Sequence, residues 1–116
     1  RSGGRLMAVS EKNVSDALSY LAADPHPLAV ARYNVTVAEN KARETYARLF
    51  LGSNSGTNDA KRASAECNSE YVEAKQVEAD AVLEMERHKS RTKAAEMIIE
   101  MYRTEAATAR AAERVR

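Results

Sequence analysis

Between Leu28 and Leu49 the apolar or small residues Leu28, Ala31, Val35, Ala38, Ala42, Thr45 and Leu49 recur at alternating spacings of three and four. That is the signature of a helix with one narrow seam, as in coiled-coil packing. Tyr46 and Phe50 widen the stripe at its end, and Gly52-Ser53-Asn54-Ser55-Gly56 supplies the turn-forming residues that stop it. Upstream, Val14, Ala17, Leu18 and Leu21 share one face of a shorter helix, for which Ser10 is a suitable cap with Glu11 in the first turn. Asp24-Pro25-His26-Pro27 divides the two helices, because a residue preceding proline is pushed out of the helical region and Pro27 suits the first turn of a new helix.

After Thr57 the chain has no glycine and no proline as far as Arg116, and alanine and long charged side chains dominate. Thr57 is a cap, and the apolar positions Ala60, Ala63, Cys67, Tyr71, Ala74, Val77 and Ala81 average about 3.5 residues apart. The pattern predicts helices over residues 11–23, 27–51 and 58–114. The last would be about 85 Å long, too long for a compact domain of this size. One alternative stays open: Ser69 is equally able to cap a fresh helix, which would split the rod in two. The predicted class is all-α, an antiparallel helical hairpin with a short N-terminal helix and a very long C-terminal one. A loop centred near Asn54 would set residue numbers summing to about 108 side by side, Arg32 near Glu78 and Arg43 near Glu66. Residues 66–86 carry seven acids against Lys75 alone, so the basic residues of the second helix have complementary partners.

Beyond roughly Ala81 the long helix outruns its hairpin mate. From Glu86 to Lys93 it has no apolar residue, whereas Met97, Ile98, Ile99, Met101 and Tyr102 cover far more than one narrow stripe. A segment that apolar on two sides predicts an oligomer core formed by these five residues, since a monomer would leave a large patch uncovered.

Charge narrows the function classes. Residues 1–6 precede Met7 and resemble a tag remnant; without Arg1 and Arg5, Lys+Arg falls from 18 to 16 against 17 Asp+Glu. A near-neutral chain of residues 7–116 is not a bulk binder of nucleic acid or membrane. One Phe and no Trp make a thin core, so helix–helix contact must supply the burial. The single Cys67, the absence of an apolar leader after Met7 and the lack of any bilayer-length apolar segment lead to the expectation of a cytoplasmic protein with no membrane contact.

Candidate chemistry is sparse. Glu84 and His88 lie at i, i+4, a spacing that can place two ligands on a metal, but two ligands make no closed site and the pair is ordinary on a solvated helix. His26 between prolines reads as a turn residue and Cys67 as a small seam residue. No metal, cofactor or catalytic residue is expected. The basic run Arg87, Lys89, Arg91 and Lys93 is the candidate for phosphate contact, with the acidic run of a neighbouring subunit as its competing partner. No helix-turn-helix pattern, zinc spacing or glycine-rich phosphate loop accompanies it.

Five short segments, Leu18-Ser19-Tyr20-Leu21, Asp24-Pro25-His26-Pro27-Leu28-Ala29, Ser69-Glu70-Tyr71, Lys93-Ala94-Ala95-Glu96 and Ile99-Glu100-Met101-Tyr102-Arg103, together resemble a family of small helical proteins of tailed phages and prophages. Genes of that family often lie near those for recombination and replication. The resemblance implies a viral protein working in the host cytoplasm in an accessory role, and it carries over no catalytic residue. With the helical pattern, it leads to the expectation of a non-enzymatic, self-associating accessory or host-modulating protein with a protein partner in host or phage. An accessory factor for DNA recombination or replication, and an oligomer that sequesters a small ligand, are the alternatives.

Overall fold

The computed structural model describes residues 9–115, and the tag remnant expected at residues 1–6 lies outside them. Four α-helices occupy the described residues: α1 (Glu11–Ala22), α2 (Pro27–Leu51), α3 (Asn58–Cys67) and α4 (Ser69–Val115). They form two compact units, one of residues up to Pro27 with those from Lys89 onward, the other Leu28–His88. α4, at 47 residues, contributes to both.

The helix starts are set by side-chain oxygens. Ser10 Oγ accepts from the Asn13 amide at 3.1 Å to open α1, and Thr57 Oγ1 accepts from the Ala60 amide at 3.1 Å to open α3. Pro27 is the first residue of α2, where its missing amide hydrogen costs nothing. The last α-type bond of α2 runs from the Gly52 amide to Arg48 O at 3.0 Å; the next, from the Ser53 amide to Phe50 O, tightens to i→i−3 as the Gly52–Gly56 loop begins. The Asp24–Pro25 peptide between α1 and α2 is cis.

In the unit Leu28–His88 the α2 seam forms as its spacing dictates: Ala31, Val35, Ala38, Ala42 and Thr45 are buried, and Leu28 and Leu49 are half-buried. Small side chains here let α2 and α4 approach closely. Facing them on α4, Tyr71, Ala74, Glu78, Ala81, Met85 and His88 are all half-buried, again alternating three and four. Tyr46 meets Tyr71 edge to face at 5.4 Å, and Arg48 pairs with Glu70. Facing residue numbers therefore sum to 117 or 118, and the expected register of 108 is corrected.

The physical reason is a break in the expected third helix. Residues 58–114 are not one rod, because Asn68 leaves the helical region at φ −67°, ψ 134°. Its amide donates to Ala65 O, ending α3, while its side-chain Oδ1 accepts from the Glu70 amide at 2.8 Å, opening α4. Asn68, and not Ser69, is the cap, one residue serving both ends. Ala60, Ala63 and Cys67 are consequently exposed, and α3 packs through Ala65, which is 1% exposed. α3 thus takes up the residues that a tight hairpin would have placed alongside α2. Asn68→Ala should cost about 0.5–2 kcal/mol, the usual loss of a cap, read as a shift of the urea midpoint at constant slope. No measurable change would mean that the break survives without its cap.

Candidate interaction site

The other unit is built on a small cluster. Ala17 and Tyr20 of α1 meet Ala95 of α4, with Leu21, Ile98 and Ile99 packed around them. Tyr20 is the centre of this contact. Its hydroxyl lies 3.4 Å from Thr92 Oγ1, its ring meets His26 edge to face at 5.1 Å, and the Arg91 guanidinium sits 4.4 Å from its ring centroid. A cation over a half-enclosed aromatic face is held there by the ring quadrupole. Arg91, the sequence's candidate for a phosphate contact, is exposed but rests against the Tyr20 ring.

The rest of the basic run divides likewise. Residues two apart on an α-helix are about 160° apart around its axis, so Arg87 and Arg91 share one side of α4 while Lys89 and Lys93 share another. The four cations do not form one face. Arg87 pairs with Glu84 at 3.1 Å, and Glu84 also lies 3.3 Å from His88 Nε2. Among the described residues no group of three potential metal ligands gathers around that pair or elsewhere.

The apolar cluster separates by the same geometry. Ile98, Ile99 and Tyr102 are half-buried, Ile98 and Ile99 against the α1 cluster, whereas Met97 is 60% and Met101 43% exposed. α1 is only 12 residues long and covers one side of this stretch of α4. Leu18 is exposed too, beside an open groove of about 300 Å³ that Val14, Leu18 and Tyr102 line with Glu11, Ser15 and Ser19. Uncovered apolar side chains thus border the packed ones within one unit. The two apolar sides expected from the sequence are thus Ile98, Ile99 and Tyr102, half-buried, and Met97 and Met101, exposed.

The unit Leu28–His88 holds an open cleft of about 430 Å³ that the sequence did not announce, since its residues come from α2, α3 and α4. Tyr46 and Tyr71 form its aromatic wall and Glu39, Arg43, Glu66, Lys75 and Glu78 its charged one. Arg43 and Glu66, expected to be neighbours, both line it. The Lys75 ammonium is held above its ordinary pKa first by its hydrogen bond to Glu78, at 3.0 Å, and then by that carboxylate's charge. Arg43 donates to Asn40 Oδ1 at 3.0 Å. The cleft therefore presents internally bonded cations, with no nucleophile–base pair.

No helix among the described residues is long and apolar enough to cross a membrane. No family model matches the chain, and neither curated proteins nor solved structures show significant similarity to it.

Proposed function

We propose that this chain is a non-enzymatic accessory protein that works through protein–protein contact and associates with itself. The observation that carries the reading is the uncovered apolar surface of α1 and α4, where Leu18, Met97 and Met101 are exposed beside a packed cluster. Exposed apolar side chains grouped in this way mark interaction surfaces in preference to ordinary monomer surface. A setting in a tailed phage, with a host or phage protein as partner, rests on the resemblance of the five short segments. Light scattering across micromolar concentrations tests the first step. A mass above that of one chain is expected, and a monomer throughout would sink the reading.

The nucleic-acid alternative is tested on Lys89 and Lys93, which share one side of α4. Lys89→Gln with Lys93→Gln leaves the Arg91–Tyr20 contact in place, so retention of DNA in an electrophoretic shift should be unchanged by the pair. Tight binding that those two changes abolish, and that falls steeply between about 50 and 200 mM salt as phosphate contacts require, would favour the recombination or replication role.

A further inference from the structure

On α4 the positions Ala94, Met97, Met101, Thr104, Thr108, Ala111 and Val115 alternate at spacings of three and four. None of the seven is charged, and all seven are exposed. In the same register earlier in the helix stand Glu73, Gln76, Asp80, Leu83, Arg87 and Ser90, three of them charged, so the uncharged run is not a property of α4 composition in general. The row lies opposite the inward one of Ala95, Ile99, Tyr102 and Ala106, which is buried or half-buried. A second 3–4 row, uncharged over about 30 Å and turned away from the first, is what a helix needs to pack against another helix on its outer side.

We propose that this outer row is a seam that takes the same row of a second copy, with the two α4 helices antiparallel. The proposal rests on the self-association reading above and names its face and its geometry. Charge selects the occupant. On one flank of the row the residues nearest it are Glu100 in its first half and Arg114 in its second, each one residue before a row position, while Glu96, Arg103 and Arg110 stand further round the helix. An antiparallel pair centred near residue 106 sets Glu100 of each copy beside Arg114 of the other, whereas a parallel pair in register turns this flank to the partner's opposite one, where Glu105 stands and Glu100 meets no cation. The same centre brings Met101 against Ala111, Met97 against Val115 and Thr104 against Thr108, each long side chain facing a small or short one. That alternation is how facing helices interdigitate, and a face that complements itself in this way closes into a two-fold dimer.

The test uses the full chain with Cys67→Ser, so that an introduced thiol is the only one. Thr104→Cys and Thr108→Cys are made as separate proteins. Oxidation of an equimolar mixture should give the mixed disulfide dimer in high yield, while either protein oxidised alone should cross-link at least several-fold less. Efficient cross-linking of each variant with itself would indicate a parallel pair and overturn the proposed orientation. Met101→Glu should raise the dimer dissociation constant at least tenfold with helix content unchanged. If that variant still assembles as the parent does, and no mixed disulfide forms, the outer seam is wrong while self-association through another face stands. A parent that scatters light as a monomer at every concentration defeats both.

Discussion

Val35→Asp is expected to unfold the packing of α2 on α4, with a loss on the order of 3–5 kcal/mol. Val35 is buried in the middle of the α2 seam, in line with Ala31, Ala38 and Ala42. An unpaired charge at such a place must either stay desolvated or take up a proton at neutral pH, and both routes draw on folding free energy. Val37→Asp is the control, since Val37 lies two residues further on the same helix and is 48% exposed; it should change stability by no more than about 0.5 kcal/mol. Urea denaturation of the two variants gives the comparison. Hydrogen exchange then locates the damage, with amides of α2 and of residues 69–88 losing protection in the first variant. Equal stability of the two would mean that the α2 seam is not where the unit is held together.

The contrast between those neighbouring valines was legible in the sequence, because all the inward positions of α2 are apolar or small and the period is unbroken. The same is not true of α4. Its inward row includes Glu78, His88 and Thr92, each half-buried, and a reader of hydrophobic positions passes over them. These residues occupy such places because long side chains can lay their stems along a seam while the polar ends find partners, as Glu78 does with Lys75. The break at Asn68 was legible only as an alternative, and one residue off. Asn and Ser are both good caps, and the choice depended on which side chain reached the Glu70 amide. The register followed from the break and was lost with it. The aromatic and charged cleft in the unit Leu28–His88 had no local signal at all, since Glu39, Glu66 and Glu78 lie on three different helices. The basic run was visible as composition, but a spacing of two on a helix disperses charge around the axis.

Tyr20→Ala is expected to release α1 from α4, at a cost on the order of 3–5 kcal/mol, the range for removing a buried aromatic side chain. The ring is the largest element of the cluster with Ala17 and Ala95, and small neighbours on both sides have nothing with which to fill the space. Its contacts to Arg91, His26 and Thr92 go with it. They are separable. Tyr20→Phe keeps the ring and removes only the hydroxyl facing Thr92, so it should cost about 0.5–1.5 kcal/mol. Arg91→Gln keeps the tyrosine and removes the cation over its face, which is worth about 0.5–2 kcal/mol. Hydrogen exchange of the α1 amides reads all three, and protection should fall in the order Phe or Gln variant first, Ala variant furthest. If Tyr20→Ala left α1 as protected as in the parent, Leu21 with Ile98 and Ile99 would be sufficient to hold it, and Tyr20 would not be its anchor. The Arg91 variant also decides how any loss of nucleic-acid binding on this helix is to be interpreted: a change that loosens α1 disturbs the fold before it removes a phosphate contact.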